Sequence, residues 1–211
     1  MDERSFRMEQ VTVWRRGGRL AADRLSFGLG KGERVLLAGE EPEDVRALFE
    51  TAAGLEKPQE GRILVEGRKA FLPEQFPYLA SLRAVEYLLL PQLVQGIPRA
   101  RAWENVRELV KESGLWEIRT NRVSFLTEYE KSLLMITAAF STCPEILIAG
   151  NFMYTLTAGE RKAAGKPLEK WTMRFGTAVL AFGNAWNVNF PFQRKLVLRE
   201  GRLREAEADF M

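Results

Sequence analysis

Residues 32–55 read GERVLLAGEEPEDVRALFETAAGL, and the reading of the fold starts there. Glu33 to Ala38 holds an unbroken apolar run, Val35, Leu36, Leu37 and Ala38, as expected of a strand covered on both faces. Gly39 ends the run. Pro42 suits the first turn of a helix, where its missing N–H costs nothing, and Glu43 and Asp44 suit the positive end of a helix dipole. Leu48, Phe49, Ala52 and Ala53 give one apolar helix face, and Gly54 fits the left-handed C-terminal cap. The stretch is a buried strand, a tight turn and a helix.

A phosphate-binding loop of the form G-x-x-x-x-G-K-S/T sits in this setting. Its glycines let backbone N–H groups close on phosphates, its lysine neutralises charge and its hydroxyl holds magnesium. Counted from Gly39, the second glycine position holds Asp44, the lysine position Val45 and the hydroxyl position Arg46. Glu40, Glu41, Glu43 and Asp44 put carboxylates where a polyphosphate would lie, and two like charges in contact repel by about 1 to 4 kcal/mol in a wet site. The stretch therefore reads either as a phosphate-binding architecture stripped of its chemistry or as an ordinary strand–turn–helix of an α/β protein. The acids themselves read as a solvated helix start, or as an acidic patch for a cationic partner.

The 211 residues are enough for one large α/β domain or a core with a small subdomain, with 46% hydrophobic and 28% charged residues, ordinary for a globular chain. Nothing approaches the run of about 20 apolar residues that crosses a membrane. The first residues, MDERSFRMEQ, are charged and carry no apolar signal core, so a cytoplasmic protein is expected. The single cysteine, Cys143, excludes an internal disulfide or a thiolate metal cluster, and reads as a core or loop residue. With no histidine at all, serine–histidine and cysteine–histidine catalysis are excluded. A net charge of +3 without charged runs does not call for nucleic acid.

Elsewhere, Glu9 to Trp14 and Leu25 to Leu29 read as a hairpin turning at Arg15 to Arg19. Arg62 to Val65 and Ala70 to Leu72 read as short strands joined by a turn at Glu66 and Gly67. Helices are expected over Leu82 to Val94, kinked or ended at Pro91, over Pro98 to Ser113, with Trp103, Val106, Leu109 and Val110 on one face and Gly114 as cap, and over Leu126 to Phe140. Glu145 to Ala149, Thr177 to Phe182, Lys195 to Leu198 and Arg202 to Arg204 read as strands, and Ala158 to Arg174 as a helix interrupted by Gly165 and Pro167. Strands alternating with helices predict a mostly parallel central sheet with an antiparallel N-terminal part. The expected division is an α/β core over residues 1–73 and 143–211 and a helical subdomain inserted over 74–142.

The order and intervals of these pieces resemble the nucleotide-binding subunits of ABC transporters, most of all the branch serving lipoprotein-release, macrolide-export and cell-division-type permeases. The resemblance covers nearly the whole chain: LSFGLGKGERVLLAG and ALFETAAGLEKPQEGRILVEG around the loop, FLPEQFPYLASLRAVEYLLLP, FLTEYEKSLLMITAAFSTCPEILIAG, GTAVLAFGN and KLVLREGRL. It implies an ABC-type P-loop fold. The family's functional positions, however, carry other residues. The adenine-stacking aromatic falls on Arg15, with Trp14 adjacent. The Q-loop glutamine falls on Glu74, followed by Gln75. The LSGGQ signature reads Leu126-Thr127-Glu128-Tyr129-Glu130. The metal-binding aspartate and catalytic glutamate after the strand ILIA fall on Gly150 and Asn151, the D-loop reads Tyr154-Thr155-Leu156-Thr157, and the switch histidine falls on Asn184.

The resemblance thus implies a subunit that does not hydrolyse ATP, kept as a structural or regulatory part of a transporter. No cofactor is expected under this reading. Its partner would be a permease, docked through Gln75, Phe76, Pro77, Tyr78 and Leu79, or another ATP-binding subunit, so that the chain, with no membrane span of its own, sits at the inner face of the membrane. Two alternatives stand beside it. In one, ATP and magnesium still bind in a rearranged mode, with Trp14 stacking and Arg15 or Arg46 supplying charge. In the other, the chain is a free-standing interaction module whose surface is Trp186, Phe190 and Phe192 among Asn184, Asn187 and Asn189. Arg199, Arg202 and Arg204 read as a solvated hairpin face.

Overall fold

The structure, a computed structural model, describes residues 4–77, 79, 81–184, 186 and 190–206. Strand β1 (Arg4–Trp14) pairs antiparallel with β2 (Leu20–Gly30). Then come β3 (Arg34–Gly39), helix α1 (Pro42–Ala53), β4 (Glu60–Val65) and β5 (Lys69–Leu72). Helices α2 (Ala84–Val94), α3 (Arg99–Glu112) and α4 (Glu128–Phe140) precede β6 (Ile146–Ala149). Helix α5 (Ala158–Phe175) and strands β7 (Ala178–Phe182), β8 (Arg194–Arg199) and β9 (Arg202–Glu205) follow. One sheet has the order β2-β1-β4 and is antiparallel; the other has the order β5-β6-β7-β3-β8-β9, parallel except for the final hairpin. Every described helix or strand between β5 and β6 is helical.

The apolar runs of the parallel strands divide by alternation. Val35 and Leu37 of β3, Ile146 and Ile148 of β6, and Leu180 and Phe182 of β7 pack with α1 and the antiparallel sheet. Leu36, Leu147, Ala149, Val179 and Ala181 face the other way, against the helices. Both faces are dry, which explains why these strands show no polar alternation. Truncating such a side chain, as in Leu36→Ala, costs about 2 to 5 kcal/mol.

Several expectations need correction. Strands β1 and β2 are longer than their periodicity suggested because register shifts interrupt the alternation. Gln10 (φ 51°) and Arg24 (φ 44°) sit in the left-handed region there, and Gln10 is held by bonds from its N–H and Nε2 to Ser26 Oγ at 3.1 and 2.9 Å. Strands β4 and β5 are joined by a turn as expected, and that turn carries the chain from one sheet to the other: β4 pairs with β1 and β5 with β6. Helix α2 does not end at Pro91, and α5 runs through Gly165 and Pro167 without a break. The lost helical bond at Pro167 is offset by burial of Ala164, Leu168 and Trp171, and by a capping box in which Thr157 Oγ1 accepts from Glu160 N. Helix α4 starts at Glu128, because Thr127 serves as its N-cap. Of the two readings of Cys143, core or loop, the structure supports the loop: it is exposed, before β6, at φ 48°.

Candidate functional site

Only Glu40 and Glu41 separate β3 from α1. Glu41 is the N-cap, and its carbonyl already accepts from Asp44 N (3.1 Å) and Val45 N (3.3 Å). Residues that a phosphate loop would leave in open backbone are thus wound into the first helical turn. Val45 is 5% exposed and folds back on the end of β3. A Cβ on Gly39 would lie 2.5 Å from Val45 Cγ2, so the glycine is needed for this side chain to fit. An apolar plug stands where a lysine would reach outward.

The carboxylates of this turn are paired, mostly by arginines from far along the chain. Arg15 Nη1 lies 2.9 Å from Glu43, 3.4 Å from Asp44 and 3.9 Å from Glu41. Arg199 Nε lies 3.3 Å from Glu40. Arg46 Nε donates to Glu74 Oε2 at 2.8 Å, and this bond holds the guanidinium pKa above its ordinary value. Glu40, Glu41 and Glu43 are exposed, as a solvated helix start requires. Asp44 differs: its side chain is 13% exposed and its Oδ1 has the Arg15 ion pair but no hydrogen bond. The sequence reading missed Arg15 and Arg199 as counter-ions, since nothing local to either residue reveals its partner.

Gly39, Val45, Arg46, Glu74, Gly150, Asn151 and Asn184 come together around one cavity of about 70 Å³, with Pro42, Phe49, Phe182 and Gly183 completing it. Ligand pockets usually run to about 300–1,000 Å³. Asp44 and Arg15 form the ion-paired flank of the same turn; Trp14, Glu128 and Tyr129 do not line the cavity. The walls approach closely because they lack side chains where they meet. A Cβ on Gly150 would lie 3.2 Å from Glu74 N and 3.3 Å from the Phe49 ring; one on Gly183 would lie 2.6 Å from Asn151 Cβ. Trp186 closes the back, its Nε1 donating to the carbonyls of Gly150 (3.2 Å) and Phe182 (3.1 Å). At 1% exposure, with Phe190 at 6%, it is core. Trp186 and Phe190 are therefore not an interaction surface; their edge-on packing with Phe152 and Phe192 explains the aromatic run. Asn187 and Asn189 lie outside the described residues.

Trp14 is 48% exposed, and its backbone N–H donates to Gln59 Oε1 at 2.8 Å. At the start of α4, Glu130 Oε2 accepts from Thr127 N (2.8 Å), Thr127 Oγ1 accepts from Glu130 N (3.2 Å), and Glu128 pairs with Lys131 at 2.7 Å. The helix dipole there is answered by the chain's own carboxylates. Burial, and then the nearby Glu160 charge, push the Tyr129 phenol up. A groove of about 410 Å³ runs between Glu74, Gln75, Phe76, Pro77 and Leu79 on one side and Glu128, Lys131, Met135 and Tyr154 on the other. Phe76 is half-buried against Tyr87, with ring centroids 4.8 Å apart, and burial pushes the Tyr87 phenol up to about 12. Tyr78 lies outside the described residues.

No protein-family model matches the sequence. Among curated proteins, the chain is 29% identical over 141 residues to the lipoprotein-releasing system ATP-binding protein LolD of Maricaulis maris, covering 59% of this chain and 62% of that protein. It is 25% identical over 211 residues to the Fe(3+) ions import ATP-binding protein FbpC of Streptomyces coelicolor (94% and 60%). The molybdate/tungstate import ATP-binding protein WtpC of Thermococcus kodakarensis is 22% identical over 167 residues (74% and 51%). The chain thus spans about half to three-fifths of these relatives. Among solved structures, a putative metal-chelate type ABC transporter superposes with a TM-score of 0.84 at 15% identity, covering 97% of this chain and 83% of that one. A bacterial ABC transporter cassette in dimeric form gives 0.82 at 18% identity (96% and 99%). In sequence the chain is thus similar to ATP-binding subunits of ABC transporters, and it carries the fold of their nucleotide-binding domains.

Proposed function

We propose that this chain is an ATP-binding-type subunit that does not hydrolyse ATP and acts as a structural or regulatory part of a membrane transporter complex. The observation that carries the reading is the Arg46–Glu74 ion pair closing a cavity of about 70 Å³ at the nucleotide position. Phosphoryl transfer needs cationic groups and a metal arranged around the phosphates, and a residue that orients the nucleophile. Here the lysine position is a buried valine, the hydroxyl and glutamine positions are tied to each other, and Gly150 offers no carboxylate. Among the described residues, no three acidic or sulfur side chains converge as a metal-binding group. This donor set does not fit magnesium and a nucleoside triphosphate.

The self-capped start of α4 supports the same reading for the signature position. The partner would be a permease, held through the segment Gln75, Phe76, Pro77, Tyr78 and Leu79, or a related ATP-binding subunit, with residues 74–142 serving as the helical part that meets it. No described helix is long and apolar enough to cross a membrane, which agrees with a peripheral subunit on the cytoplasmic side, held there by a permease. One observation favours the rearranged nucleotide mode: Trp14 is exposed beside Arg15. Against it, the Arg15 and Arg46 guanidiniums both face carboxylates. Titration of the pure protein with magnesium and ATP, with phosphate release followed in parallel, tests both. Turnover sinks the proposal; binding without turnover that is lost in Trp14→Ala would replace it with the rearranged mode.

A further inference from the structure

We infer that the Arg46–Glu74 pair is a latch: it fixes the chain leaving β5 against the N-terminal half of α1 and so sets one wall of the 410 Å³ groove without any ligand. Three observations combine. Glu74 lines both the small cavity and the groove, so one side chain joins the filled nucleotide position to the groove wall. The backbone beside it is seated on the end of β6: Gly150 N donates to Leu72 O at 2.8 Å, and a Cβ on Gly150 would come within 3.2 Å of Glu74 N. A Cβ there would crowd the segment, and the Glu74 backbone or the Phe49 ring would have to give by a few tenths of an ångström. Beyond Glu74, Phe76 packs toward the helices, its ring 4.8 Å from that of Tyr87. Arg46 of α1 reaches this segment: its side chain is 52% exposed, and its Nε donates at 2.8 Å to a Glu74 carboxylate that is 24% exposed.

A wall set by an internal ion pair is the same whether or not nucleotide is present. The groove would then offer its partner one constant shape, and docking there would not respond to ATP. The inference shares the Arg46–Glu74 pair with the proposed function, but its readout is the order of the segment and not turnover.

The test is backbone amide relaxation of Glu74, Gln75 and Phe76 by NMR on the whole chain. In the wild type, order parameters of about 0.85, the rigid-backbone range, are expected, unchanged by millimolar magnesium and ATP. Arg46→Ala and, separately, Glu74→Gln should lower them toward about 0.6. The charge swap Arg46→Glu with Glu74→Arg should restore them. Unchanged order in both single variants, with the fold intact by circular dichroism, overturns the latch, as does a swap that restores nothing. ATP turnover with the latch behaviour intact would sink the earlier proposal and leave this one standing.

Discussion

Arg15→Ala is the perturbation that best tests how the strand–helix turn is held. Arg15 faces three carboxylates, and they are not equivalent. The partners Glu41 and Glu43 are 52% and 73% exposed, so losing their attraction costs about 0.2 to 1 kcal/mol in all after screening by solvent. Asp44 is different, because its side chain is 13% exposed, that of Arg15 is 16% exposed, and Oδ1 has no hydrogen bond to fall back on. Removing the guanidinium leaves that carboxylate covered and uncompensated, at a cost of about 1 to 3 kcal/mol. The sum, about 1 to 4 kcal/mol, corresponds to a fall in Tm of about 2 to 16 °C for a chain of this size. Urea titration followed by tryptophan fluorescence measures it. Adding Asp44→Asn to Arg15→Ala should recover most of the loss, since the stranded charge is gone. A loss below about 0.5 kcal/mol would refute the argument, because that is the range of an ordinary surface substitution. So would a double variant no more stable than the single one.

Other expectations follow from the same geometry. Val45→Lys restores the letter of the phosphate loop but should gain no ATP binding by calorimetry. It should lose about 2 to 4 kcal/mol in urea titration, since a buried apolar side chain is replaced by an ammonium that must find water. Gly61→Ala should cost more than about 3 kcal/mol, because at φ 78° its Cβ would meet backbone oxygens of Gln10 and Glu9 at 2.3 and 2.4 Å. Gly114→Ala, at the same φ but in open space, should cost only about 1 to 2 kcal/mol in the same titration. Glu112 accepts from Trp171 Nε1 at 2.8 Å and pairs with Lys170 and Arg174; these hold its carboxyl below the ordinary 4.5. A folded-state pKa depressed in this way contributes stability that is complete above the unfolded value and is lost as pH falls through the folded one. Trp171→Phe should therefore flatten the acid limb of stability, read as urea midpoints between about pH 6 and pH 3.

The strand–turn–helix at Arg34–Ala53 was legible because a fully apolar run with proline and acids behind it has few other solutions. Which side chains of that run face which core was not, since Val35, Leu36 and Leu37 are equally apolar. Helix α5 was misread at Gly165 and Pro167, where packing of Trp171 and Leu168 outweighs local propensity. The replaced site positions were visible as letters, and the structure gathers most of them around one cavity. What the letters could not convey is how they fit together. The counter-ions of the acidic turn come from Arg15, just past β1, and Arg199, at the end of β8, and an aromatic run such as Trp186 to Phe192 reads alike whether it faces solvent or core. Its indole bonds to Gly150 and Phe182 exist only once β6 and β7 lie side by side.

The close fits around the small cavity also restrict the paths by which the sequence can change. Gly39 is bound to Val45, Gly150 to Glu74 and Phe49, and Gly183 to Asn151, each glycine occupying space its neighbour has claimed. A carboxylate introduced at position 150 meets the Glu74 backbone before it meets any metal. A lysine at position 45 gives up a buried contact before it finds a phosphate. A change at any one of these positions therefore disturbs the packing of its neighbour, and a compatible set has to change together.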